Sequence, residues 1–260
     1  MNRPLRIISL SPGQTEILAA LGLTPALVGI TENCDYPPEA LGKKTFGTWF
    51  APDLNGVMEA RPDLVCTFGK HQEEAREALQ DAGLHVYHGD PGSVDDSLND
   101  ILCLGRQTGR EEAARALASR LHERLSHVRR RVDSIPDRER PSVFRIMNWE
   151  PLITVGPGAF QHDVIECAGG RNAHGEAYAP YVVCTHDLLG VLNPDAIFFC
   201  EPFIRSILLG DAAWADLQAV RNGRVFVFDC GLTCRSGPRI LDMVESLAAG
   251  LHPGLFPSRQ

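Results

Sequence analysis

The chain has 260 residues, 44% of them hydrophobic and 22% charged, with a formal net charge of −8. That length suits one or two globular domains, and the apolar share can fill one large core or two modest ones. The acidic balance argues against nucleic acid, whose phosphates need clustered basic surface, and no apolar run approaches the roughly 20 residues of a membrane-spanning helix.

Residues 6–10 read as a strand, 15–21 as a helix stopped by Gly22, and 26–31 as a second strand. Residues 52–60 read as a short helix, 64–68 as a buried strand, 73–82 as a helix, 84–87 as a strand and 97–105 as a helix. Strands alternating with helices imply βαβ units and a mainly parallel sheet. From 110 to 135 there is no Gly or Pro, and Leu117, Leu121, Leu125, Val128, Val132 and Ile135 recur at steps of three and four. That is one apolar stripe on a long helix, with Arg129-Arg130-Arg131 as its solvated face. After Pro141 the rhythm restarts: strands at 143–147, 196–200 and 224–229, helices at 160–167, 186–192 and 238–250. The fold class expected is α/β: two Rossmann-like lobes with mainly parallel sheets (1–109 and 137–260) joined by one long α-helix (110–136).

Ligands bind parallel sheets outside the carboxyl ends of the strands. Polar and aromatic residues gather at those predicted ends, so two facing lobes would make a ligand cleft. Ser11, Tyr36, Trp49, Phe50, Thr67 and Phe68 are the candidates from the first half, and Trp149, Tyr181, Phe203 and Arg235 those from the second. An aromatic ring in a loop either packs on its own lobe or meets a ligand.

No catalytic signature stands out. There is no G-x-G-x-x-G, no G-x4-G-K-[ST], no G-x-S-x-G and no H-E-x-x-H, so a non-enzyme with no required cofactor is expected. Asp35 and Glu150 are a carboxylate pair only if the fold joins them. Ser9-Leu10-Ser11-Pro12-Gly13 ahead of a helix reads as an N-cap before it reads as an anion site. His71 and His186 sit at expected cleft edges. Among eight cysteines, Cys230-x3-Cys234 is half a metal site on paper, and Cys34, Cys66, Cys184 and Cys200 also lie near strand ends. The spacing is not the C-x2-C pair of zinc sites, and the favoured reading is small buried residues, with no metal. Met1-Asn2-Arg3-Pro4 runs directly into the first strand with no apolar leader. With so many thiols, a cytoplasmic location is expected, or a periplasmic one if a leader has been removed.

Several strings then carry a resemblance. Arg6-Ile7-Ile8-Ser9-Leu10-Ser11-Pro12, Cys34-Asp35-Tyr36-Pro37-Pro38, Glu59-Ala60-Arg61-Pro62-Asp63, Gly169-Gly170-Arg171-Asn172, Asn193-Pro194-Asp195 and Ser236-Gly237-Pro238-Arg239 occur in this order. Together they resemble the substrate-binding proteins of ABC importers for cobalamin, haem and ferric siderophores, and the Thr48-Trp49 pair is closest to the cobalamin branch. The resemblance implies a small-molecule ligand, cobalamin or another corrinoid, held by Trp49 and the Thr67-Phe68 loop from the first lobe. Tyr181 falls where that branch has a Trp, and Arg235 falls in the cleft loop of the second lobe. It also implies a monomer and an ABC permease partner docked through Glu73. The matching acid of the second lobe is missing at Phe203-Ile204-Arg205-Ser206, which suits a cytoplasmic relative that keeps the cleft without the delivery. A haem or siderophore binder and a cysteine-based metal protein or enzyme stay open as alternatives.

Overall fold

The structure, a computed structural model, describes residues 3–256. The expected lobe ends at 1–2 and 257–260 lie outside the described residues. Among the described residues, no helix is long and apolar enough to cross a membrane. The chain divides into two compact units. Among the described residues, unit 1 holds 3–91, Ser97–Arg120 and Ser236–Pro238; unit 2 holds Gly92–Asp96, Leu121–Arg235 and 239–256. Residues 110–136, expected as the bridging helix, divide between the units at Arg120.

Unit 1 is built on β1 (Ile7–Ser9), α1 (Pro12–Ala20), β2 (Leu27–Ile30), β3 (Lys44–Thr45), α2 (Leu54–Glu59), β4 (Leu64–Phe68), α3 (Glu73–Asp81), β5 (Val86–Gly89) and most of α4 (Val94–Gln107). Its sheet runs β3-β2-β1-β4-β5, and every pairing is parallel. Ile8, Leu10, Phe46, Val57, Val65 and Leu79 form a core cluster there. The first helix starts at Pro12, earlier than expected, because a proline at the first helical position loses no hydrogen bond and has a preset φ. Ser11 is its N-cap by position, with no side-chain cap bond. The expected strand at 84–87 sits two residues later, and β3 was not foreseen.

The long helix is α5 (Glu111–Val132). Leu117, Leu121, Leu125, Val128 and Val132 are all buried, as the stripe predicts. Ile135 falls beyond its end, because the Pro136 ring would clash with the carbonyl four residues back, that of Val132. Two of the three arginines are more than a solvated face, and Arg130 is exposed. Arg129 pairs with Asp95 at 2.9 Å, and Arg131 donates to the Leu255 carbonyl at 3.1 Å and lies over the Phe256 ring. Within unit 2, Arg124 clamps Asp242 (2.5 Å) and Glu245 (2.8 Å) of the last helix.

Unit 2 continues with β6 (Ser142–Arg145), β7 (Leu152–Val155), α6 (Phe160–Cys167), β8 (Arg171–Asn172), β9 (Tyr181–Cys184), α7 (His186–Leu192), β10 (Ala196–Phe199), α8 (Pro202–Gly210), α9 (Gln218–Arg221), β11 (Val225–Val227), α10 (Cys230–Thr233) and α11 (Ile240–Leu251). Four parallel strands run β11-β10-β6-β8, and β7 pairs antiparallel with β9. Phe144, Ile146, Leu152, Ile197, Phe199 and Leu208 belong to its core. The antiparallel pair is a departure from the expected alternation. So is α8, which moves Phe203 from a loop to a first helical turn, again with Pro at its start.

His252 caps α11 and lies 3.1 Å from the Gly169 carbonyl. Burial holds its imidazole below the ordinary range, against the pull of that carbonyl, and Arg224 and Arg140 push the same way as burial. The unfolded chain therefore takes up a proton that the folded one refuses as pH falls through about 6.5. Folded stability attributable to His252 is present above that range and lost below it. Thermal melts from pH 7.5 to 5.5 should show a shallower decline for His252→Gln than for the parent chain; equal slopes would contradict it.

Candidate functional site

At the carboxyl edge of the unit 1 sheet, Trp49 and Phe50 meet edge to face at 4.5 Å between ring centroids. His71 joins both, at 5.4 and 5.6 Å. Phe50 is 67% exposed. A buried amide holds this group in place. Gln72 Nε2 donates to the carbonyls of Leu10 (2.9 Å) and Trp49 (2.7 Å), and its Oε1 accepts from the Phe68 N–H (2.9 Å). One side chain thus pins the ends of β1 and β4 to the loop after β3. Gly47 makes that loop possible: its φ is +70°, and a Cβ there would stand 2.4 Å from the Ala51 carbonyl. The Trp49 N–H is tied to Asn33 Oδ1 at 2.6 Å.

Two expected ligand residues of this unit lie inside it. Ser11 and Thr67 are buried, so their side chains offer no ligand surface in this structure. The Thr67 hydroxyl is 2.9 Å from His88 Nδ1, and its carbonyl accepts from Gln14 at 2.9 Å. Cys34 and Cys66 are buried too; the Thr15 hydroxyl donates to Cys34 Sγ at 3.2 Å. Tyr36 is 41% exposed, Phe68 is partly buried, and Glu73 is exposed at the first residue of α3. Asp35 and Glu150 fall in different units.

In unit 2, Trp149 meets His186 at a tilt (ring centroids 4.5 Å apart) and Trp214 edge to face (5.8 Å). Both tryptophans pack against the unit's own core, which is the packing alternative for a loop aromatic. Tyr181 opens β9 and is 47% exposed, its hydroxyl 3.4 Å from Gln161 Oε1. Phe203 is 51% exposed, and Arg235 is partly buried.

The cysteines depart most from expectation. Cys184 stands apart, but Cys200, Cys230 and Cys234 bring their sulfurs within 4.8 Å of one another. Cys230 is exposed, so the reading of small buried residues fails for this group. Beneath it lies Arg145, whose side chain is fully buried; its guanidinium donates to the Ile146 carbonyl and to Cys234 Sγ at 3.4 Å. Burial alone raises the Cys184 thiol, and burial with the charge of Asp163 pushes Cys167 up to about 12 against the pull of Arg129. Cys234 goes the other way. The thiols of Cys200 and Cys230 hydrogen-bond to it and hold it well below the ordinary thiol range, with Arg145 adding its charge. Gln72, Gln14, Arg145 and Trp214 were not singled out in the sequence: each is an isolated polar or aromatic residue whose partners are distant in the chain.

Two α/β units, each on a parallel sheet with aromatic loops at its strand ends and one 22-residue helix shared between them, are the build of a two-lobed solute-binding protein. The chain belongs to the periplasmic binding protein family, which it matches over residues 7–230. An ABC transporter substrate-binding lipoprotein of Bacillus subtilis is 30% identical over 258 residues, covering 97% of this chain and 82% of that one. The crystal structure of the periplasmic vitamin B12 binding protein of Vibrio cholerae superposes with a TM-score of 0.85 at 27% identity, covering 97% of this chain and 98% of that one. A periplasmic haem-binding protein from Roseiflexus shares the fold, with a TM-score of 0.82 at 22% identity over 97% of this chain and 100% of that one.

Proposed function

We propose that this chain binds a corrinoid of the cobalamin type and performs no chemistry on it. The observation that carries this reading is the Trp49–Phe50–His71 group, exposed at a sheet edge and held by a buried amide. A corrinoid offers a broad apolar face with a rim of amides, which suits rigid aromatic rings more than it suits a charged pocket. The likeness to a vitamin B12 binding protein over nearly the whole chain adds support.

The test is a titration with cyanocobalamin, followed by heat and by tryptophan fluorescence. One-to-one binding with Kd at or below about 1 µM is expected. Trp49→Ala should weaken it by about ten- to a hundredfold, the usual penalty for removing an aromatic anchor. No saturable binding would remove the reading. Haem is the second reading, favoured by the exposed imidazole of His71 beside two rings; it would show as a Soret change lost in His71→Ala.

Delivery is a separate part of the proposal. Glu73 is exposed and on this reading would pair with an arginine of a permease; capture of a permease by the parent chain but not by Glu73→Lys would support it. Absence of capture from both would favour a monomeric carrier, with the eight thiols pointing to a reducing compartment; cell fractionation checks the latter.

A further inference from the structure

We propose that Cys200, Cys230 and Cys234 form a binding site for one thiophilic divalent cation of the zinc type, with a fourth coordination position open to solvent. The fold assembles the three sulfurs from two neighbouring strands. Cys200 follows the last residue of β10, and β11, its parallel neighbour, leads into α10. Asp229 caps that single turn by accepting from the Gly231 N–H at 2.7 Å. The turn places residues four apart on one face, so Cys230 and Cys234 bring their sulfurs to 3.5 Å, and Cys200 stands 3.9 Å from Cys234. With metal–sulfur bonds of about 2.3 Å, three thiolates around one ion lie about 3.8–4.0 Å apart. The site needs adjustments of only a few tenths of an ångström on its measured edges.

Charge is the second argument. Arg145 is fully buried beneath the sulfurs, and among the described residues no carboxylate pairs with it. A buried guanidinium keeps its charge and requires an anion. A divalent ion with three thiolates leaves one net negative charge, which Arg145 balances. A monovalent soft ion would leave two, so the divalent class fits better. Binding displaces the remaining thiol protons to solvent; each sulfur keeps the electron pair of its broken S–H bond and shares it with the metal, with no change of oxidation state. Exposure of Cys230 leaves the outer side to water, the arrangement of three-ligand zinc sites with an open position.

The experiment uses the full chain, reduced, stripped with chelator and kept free of oxygen, with cobalt(II) alone as the probe. This makes it independent of the corrinoid reading: failure of either leaves the other standing. Thiolate-to-cobalt charge-transfer absorption should saturate at one equivalent and be displaced by one equivalent of zinc. Cys230→Ser and Cys200→Ser should each weaken binding by about tenfold or more, since even partners beyond the ligands themselves are worth that much. Cys184→Ser should leave it unchanged. Cys230 is exposed, so Cys230→Ser is the variant that keeps its fold, which a thermal melt verifies. No charge-transfer band at saturating cobalt, or an undiminished band in the Cys200→Ser/Cys230→Ser double variant, would overturn the proposal.

Discussion

Gln72→Leu should lower the unfolding free energy by about 3–5 kcal/mol, at almost constant volume. The amide is fully buried, and it serves three backbone groups at once. Leucine would leave the Leu10 and Trp49 carbonyls and the Phe68 N–H without it, and each buried polar group left unpaired costs about 1–3 kcal/mol. The lower part of the summed range is expected because the Trp49 loop can turn its carbonyl to water. Melting should fall by about 6–20 °C for a chain of this size. Gln72→Glu separates packing from hydrogen bonding: it keeps the shape and the acceptor, yet its ionised oxygens cannot donate to either carbonyl. It should therefore destabilise at least as much as leucine. Both variants should also weaken the proposed corrinoid binding with Trp49 intact, since the loop that carries the indole is no longer pinned. A melting temperature within 1–2 °C of the parent for either variant would show that the amide is not what holds these loops.

The sequence made some parts of this molecule plain, and the reason differs from part to part. The buried strand at 64–68 and the helices at 160–167 and 186–192 were legible because periodicity and end signals agreed. The α5 stripe was legible for the same reason, and even its overrun to Ile135 has a local cause in Pro136. What escaped was short or misread at a proline. β3 and β8 have two residues each, too few for any pattern. α8 hid behind Glu201-Pro202, where a proline read as loop was a helix start. The β7–β9 pair was rich in β-branched residues and could have been found. At the site, Trp49 and Phe50 declared themselves as loop aromatics, but Gln72 did not, because nothing in a lone glutamine says that three distant backbone groups converge on it. The thiols were discounted on spacing. A four-residue step is a poor zinc pair in an extended knuckle, yet on a helical turn it is the correct one, and only the pairing of β10 with β11 adds Cys200.

The second large effect is an asymmetry between Cys234 and Arg145 in metal-free, reduced protein. The two are in contact at 3.4 Å, with the guanidinium fully buried and also lying 5.2 Å from the Phe198 ring centroid. Removing the sulfur in Cys234→Ala strands a charge that cannot neutralise itself, because arginine does not lose its proton in proteins. The expected loss is about 3–5 kcal/mol, as for breaking a buried pair from one side. Removing the cation in Arg145→Met leaves a thiol that escapes the penalty by taking up a proton, so about 1–2 kcal/mol should be lost. The double variant should then be more stable than Cys234→Ala alone, since an apolar pair replaces a stranded ion. Urea unfolding of the four chains gives the coupling directly. Strict additivity would mean that Arg145 is satisfied by the Ile146 carbonyl and its own stacking, and that the sulfur beside it carries no charge. Coupling of the predicted sign would mean that the fold keeps a buried cation in place with a thiolate, under three sulfurs that a metal would draw together.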